Sequence, residues 1–319
     1  IIGLGVGAQI LADRFQLPSI IFLIAAGLAL GPGSGLVLES ALVTRGSFGS
    51  SLPAIVRLSV AIIVFEGAFH LRLDNLREAP AENVRLVTVG ALIALLATAA
   101  VTKFTFGVAW DISFLIGALL VATGPTVIAP IVEVVAVRDR VEAALETEGI
   151  VNDVTAAIVA VVIFETLLLD DLGVPATVLS FLQRFGVGIA AGLLATVVIY
   201  ALLESDLVPE RDVQASQFLV LAAAIGSFAA AEAVAAEAGI AAAATSGILR
   251  GNLGLDNREE IERFAQNTTL IVLSFVFISL AALIDVEAIA GLGVGVIGLV
   301  FVIMFVLRPL GAFLATVGV

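Results

Sequence analysis

Three residues within one helical stretch have the types and spacing to do chemistry. Glu148, Asn152 and Asp153 lie in the run "AALETEGIVNDVTAAIVAVVIFETLLL" from Ala143 to Leu169. On a helix, Asp153 falls about 15 Å from the start of this run, near the middle of a bilayer. A carboxylate at that depth costs several kcal/mol unless it is paired, hydrated or protonated. A group that has to be neutralised by a proton or a cation is suited to binding either in turn. The competing reading is an interhelical hydrogen bond with no part in transport. Asn152 adjoins Asp153, about 100° around the helix. Glu148 precedes Asn152 by four residues and shares its face. Arg308, in "VLRPLGAF", is placed well inside a late apolar segment at a depth level with Glu148. Pairing the two would cancel two expensive charges.

A second stretch lies at the depth of Asp153. "VATGPTVIAP", Val121–Pro130, places Gly124, Pro125 and Pro130 in the middle of an apolar segment. Proline removes a backbone donor and clashes with the preceding turn. A break at membrane depth is tolerated where it lines a cavity. It frees carbonyls and amides beside Thr123 and Thr126, and it aims half-helix dipoles at the gap. A plain proline kink is the simpler alternative.

These residues are carried by a chain of 319 residues, 61% hydrophobic and 13% charged, with mean hydropathy +1.17. A soluble domain is about a quarter charged. The composition predicts a polytopic helical membrane protein. Eleven segments are expected: Ile1–Asp13, Pro18–Gly31, Pro53–Leu71, Val84–Phe106, Ile112–Glu133, Ala143–Leu169, Thr177–Leu203, Gln214–Ala231, Ala235–Gly251, Phe264–Ile284 and Ile289–Val319. The basic residues agree with this map. Alternate connections on one side carry Arg14, Arg72, Arg77, Arg85, Arg138, Arg140, Arg211, Arg250, Arg258 and Arg263; the other side holds only Arg45, Arg57, Lys103 and Arg184. The arginine-rich side is the cytoplasmic one, so the first segment starts outside. The chain starts without Met inside one apolar run and stops inside another, and it reads as a membrane domain trimmed at both ends.

There is no cysteine, which excludes disulfides and thiolate metal sites. Net charge is −13 with a single lysine. That balance suggests a salt-loving source or GC-rich coding bias, and it argues against a nucleic-acid partner. The small residues of "AAAIGSFAAAEAVAAEAGIAAAATSG" read as close-packing faces. Glu66, in "VFEGAFHL", could snorkel to the surface or line a cavity. His70, the only histidine, sits at a helix end and reads as an interfacial bystander rather than a proton relay. Glu165, Asp170 and Asp171 read as a solvated outer mouth, and Trp110 as an interfacial anchor. Rival functions fit poorly. A channel needs a polar stripe on several helices, an intramembrane aspartyl protease needs two facing acids, and a retinal protein needs a buried lysine.

With "TGPTVIAP", "EGIVNDVTA", "FEGAFHLRLDNLR", "FVFISLAALIDV" and "VLRPLGAF" assembled, the whole chain resembles the monovalent cation/proton antiporters, in the NhaP-like sodium/proton exchanger branch. The resemblance implies an all-helical NhaA/NhaP-like antiporter fold with a discontinuous helix at the ion site. Eleven of thirteen helices would be present, with two more following the eleventh. It implies that Asp153 alternately binds a proton and Na+, K+ or Li+, and that Asn152 supports it. Thr123 would supply unwound backbone near the ion, with Gly124 and Pro125 forming the break. Glu66 would belong to the ion path, and Glu148 with Arg308 would form a structural ion pair. An Asn-Asp pair accompanies electroneutral exchange in relatives. No catalytic residue, resident metal or cofactor is expected, only transported ions. The expected partners are the lipid bilayer, a second copy in a homodimer and a cytoplasmic regulatory domain, in a prokaryotic cell membrane such as that of a halophilic archaeon. The chain departs from the family's pattern at Gly124, often an acid, and at Gly149, often a serine ligand. Its ion shell therefore differs.

Overall fold

The computed structural model describes residues 1–15, 17–35, 42–71, 84–122, 135, 137–169, 174–203, 213–253 and 258–317. Every regular element among them is helical. The helices are α1 (Ile2–Phe15), α2 (Ser19–Gly33), α3 (Leu52–His70), α4 (Leu86–Phe106), α5 (Trp110–Val121) and α6 (Asp139–Leu169). They continue with α7 (Val174–Leu203), α8 (Val213–Val234), α9 (Ala238–Asn252), α10 (Arg258–Ala282) and α11 (Val294–Thr316). Among the described residues, seven helices are long and apolar enough to span a membrane: α3, α4, α6, α7, α8, α10 and α11. Their outward faces are apolar; Phe104 is 80% exposed and Val294 is 83% exposed. Side chains this greasy on the outside require lipid, and the chain is a multi-pass membrane protein.

The elements fall where the hydropathy pattern puts them, with shifts at their ends. The tenth segment was expected from Phe264, but α10 begins at Arg258, because "REEIER" adds a charged first turn of good helix formers. A separate short helix, Val286–Gly291, precedes α11 and is capped by Asp285, whose carboxylate accepts from the Ala288 amide at 3.0 Å. Gly107, at φ 66, ends α4 in the left-handed conformation that glycine adopts freely. Trp110 opens α5 with the Lys103 ammonium 5.9 Å from its ring centre.

The helices form two groups. In one, α9 is the hub: it packs on α3, α7 and α8, while α10 joins α2, α3 and α8, and α1 closes on α2 and α10. In the other, α4 packs on α5 and α11, and α5 packs on α6. Helix α6 touches both, meeting α5 on one side and α3, α7 and α9 on the other. One core joins Phe65 and Phe69 of α3, Ile150, Val154 and Ile158 of α6, Val220 of α8 and Ala241 of α9. A smaller one joins Ala94, Val121 and Ala156.

The small residues serve packing. Gly188 of α7 lies against the Ala238 carbonyl and the Ala241 methyl, and Gly251 of α9 lies against the Phe69 carbonyl. A methyl at Gly251 would collide with that carbonyl, so two helix backbones would have to separate. Gly251→Ala is expected to lower stability by about 1–3 kcal/mol despite alanine's better helix propensity. Gly226→Ala, which points into open space, should melt like the parent. Thermal unfolding of the detergent-solubilised protein measures both.

Candidate functional site

The pattern that puts α6 between the two groups also fixes where its polar residues point. At 100° per residue, Glu148, Asn152 and Ala156 share a face, and Ile150, Val154 and Ile158 share the opposite one. The first face meets α4 and α5 through Ala156, and the second meets the hub group. Asp153 falls between these two faces of α6.

Asn152 is 1% exposed, and its amide Nδ2 donates to Glu148 Oε1 at 3.0 Å. The Arg308 guanidinium approaches the same oxygen, with Nη1 at 3.7 Å. Arg308 lies within electrostatic reach of Glu148 and Asp153 alike. Glu148, Asn152 and Arg308 are therefore brought together, with Asp153 beside them. Asn152 Oδ1 is buried without a hydrogen-bond partner, which leaves an acceptor at the site.

Helix α5 stops just before the expected break. Val121 is its last helical residue, and Ala122 has extended backbone at ψ 135. Thr123, Gly124 and Pro125 lie outside the described residues. The end of α5 is held in a way the sequence gives no hint of. Arg308 Nη2 donates to the Leu120 carbonyl, to that of Val121 at 2.9 Å and to that of Ala122 at 3.2 Å. A helix C-terminus leaves such carbonyls unsatisfied, and a cation there also meets the negative end of the dipole. Arg308 follows a turn of π-helix, Ile303–Leu307, which shifts the register of α11 just before it.

Glu66 has partners of its own. It lines a narrow cavity with Ile62, Val220, Ala224, Phe264 and Thr268, from α3, α8 and α10. Its carboxylate is 3.3 Å from His70 Nδ1. His70 Nε2 is in turn 2.9 Å from Glu262 Oε1, a residue that sequence reasoning passed over. Arg258, Glu262 and Gln266 at four-residue spacing mark one helical face, and that polar stripe was the available signal. Its partner on α3 was not legible. Arg250 also differs from expectation. Placed in a cytoplasmic connection from sequence, it stands in the last turn of α9, fully buried, with Nε, Nη1 and Nη2 making no hydrogen bond. Glycine-close packing on α3 carries that turn into the interior.

A helix bundle in two groups, with a carboxylate on the helix that touches both, suits a secondary transporter. Residues 2–319 match the family described as "Sodium/hydrogen exchanger, transmembrane", and the chain belongs to that family. It is 25% identical over 303 residues to the Na(+)/H(+) antiporter ApNhaP of Aphanothece halophytica, covering 92% of this chain and 54% of that protein. It is 27% identical over 187 residues to the K(+)/H(+) antiporter NhaP2 of Shewanella sp. (strain ANA-3), covering 57% of this chain and 31% of that protein. The chain thus matches about half the length of the first of these relatives and just under a third of the second. Its fold is that of the sodium proton antiporter MjNhaP1 from Methanocaldococcus jannaschii at pH 8, with TM-score 0.80 over 99% of this chain and 76% of that one, at 22% identity.

Proposed function

We propose that the chain is the transport domain of a monovalent cation/proton antiporter, with Asp153 binding a proton and a cation by turns. The observation that supports this reading is the place of Asp153 on α6, the helix that touches both groups, within electrostatic reach of Arg308. An ionised carboxylate at mid-membrane depth is costly, so Asp153 crosses only when loaded. Exchange follows, because the empty site does not return and each loaded form does. Asn152 keeps Glu148 and Arg308 in register beside it. Thr123 lends unwound backbone to the ion, and movement of one helix group against the other exposes the site to either side.

Sodium is the preferred cation in this proposal, with electroneutral exchange at a single carboxylate. Potassium is the alternative, favoured by the likeness to the K(+)/H(+) antiporter NhaP2. A homodimer, a cytoplasmic regulatory region and a prokaryotic salt-loving source remain parts of the proposal that rest on resemblance and charge. The protein so read transports ions and catalyses no covalent chemistry. Full-length protein in proteoliposomes with a trapped pH dye tests this. A sodium pulse should drive protons out of the lumen, and a potassium pulse should drive fewer. A larger response to potassium would reassign the cation, and proton movement with neither would end the antiporter reading.

A further inference from the structure

The Glu66–His70–Glu262 cluster joins α3 to α10, and its geometry is specific. His70 is the last residue of α3. Its Nδ1 faces two acceptors on its own helix, the Glu66 backbone carbonyl at 2.9 Å and Glu66 Oε1 at 3.3 Å. Its Nε2 faces Glu262 Oε1 at 2.9 Å and the Gln266 amide at 3.1 Å, both on α10. On α9, Asn252 donates to the carbonyl of Leu71 next to His70, and the nearby cation Arg250 is buried. Exposure rises along the chain of groups, from 14% for the Glu66 side chain to 28% for His70 and 29% for Glu262. Beyond Glu66 lies a cavity with room for about one water, with Thr268 on its wall.

An imidazole with a carboxylate at each nitrogen is the arrangement of a proton relay. It can take a proton at one nitrogen and release one at the other. We propose that His70 relays protons between the cytoplasmic surface and Glu66. A proton passes from the Glu262 carboxyl, or from water beside it, to Nε2, and the Nδ1 proton passes to Glu66 Oε1. Imidazole ends as the other tautomer, Glu262 as carboxylate and Glu66 as the neutral acid. The reverse transfer, or rotation of the ring, restores the start. The end of α3 faces the arginine-rich side, so the relay opens to the cytoplasm. This inference rests on the exchange reading above, together with the family resemblance that puts Glu66 in the ion path. It adds how Glu66 is served with protons.

The test uses the full-length protein with two readouts. In a pH jump followed by infrared difference spectroscopy, the protonated-carboxyl band lost in Glu66→Gln reports Glu66 directly. In His70→Gln, which keeps polar contacts but cannot shuttle, that band should rise more than about tenfold more slowly. In His70→Ala, added imidazole should restore the rate. In proteoliposomes, both variants should slow exchange at alkaline pH, where protons are scarce, with imidazole rescue in His70→Ala, while their melting temperatures stay near wild type. An unchanged band rate in His70→Gln, or a slow rate in His70→Ala that imidazole does not restore, overturns the relay. A wild-type protein that moves no cations would end the exchange reading, while the infrared rates would still decide the relay.

Discussion

Asp153→Asn is expected to abolish cation-driven proton movement, with a loss of at least about a hundredfold in exchange rate. The amide is the same size as the carboxyl, and it carries no charge to bind a cation and no proton to give up. Asp153 stands mid-helix in α6, so the substitution leaves the flanking Ile150 and Val154 packing in place. The mutant should therefore fold, insert and elute like the parent. Asp153→Glu restores a titrating group one methylene further out and should recover part of the rate. The measurement is dye dequenching in proteoliposomes at matched protein content. An Asp153→Asn protein that exchanged at the parental rate would falsify the assignment and move the exchanging group to another carboxylate, with Glu66 the next to test.

The second large effect is on stability. Arg308→Ala removes the partner of Glu148 and the cap of three carbonyls at once. Breaking a buried ion pair costs about 3–5 kcal/mol because a charge is left alone. With 27% of the Arg308 side chain exposed, the lower half of that range is the better expectation. Three carbonyls losing their donor add to it. Arg308→Lys should rescue poorly, since an ammonium is a point charge and cannot fork between a carboxylate and a helix end. Thermal melts separate the two roles. Glu148→Gln combined with Arg308→Gln removes the stranded carboxylate, so the destabilisation that persists belongs to the cap. A double mutant as stable as the parent would show that the cap contributes nothing.

The sequence was legible where one physical rule dominates. Long apolar runs and the side preference of arginine located the helices, because lipid tolerates little else. Depth alone brought Arg308 level with Glu148, since each residue of a spanning helix adds a fixed rise. Facing was much harder to read. Lipid and core are both apolar, so no stripe on α7 or α11 distinguishes the buried side from the exposed one. The Arg308 cap on α5 was invisible because its partners are backbone carbonyls 186 to 188 positions earlier, and a carbonyl has no letter. The His70–Glu262 contact joins two surface-like residues 192 positions apart in chains of charge that each look solvated. Arg250 was misplaced for a related reason. A cation near a segment end normally snorkels, but here the glycines that let α9 lie against α3 draw the last turn inward.

The three carbonyls held by one guanidinium also have a mechanical consequence. Arg308 belongs to α11, its carboxylate partner to α6 and its carbonyl partners to α5, so one side chain knots three helices at a single point. A displacement of α11 along its own axis would pull on the end of α5 and on α6 together. The knot turns three separate rods into one lever, with Asp153 riding on it.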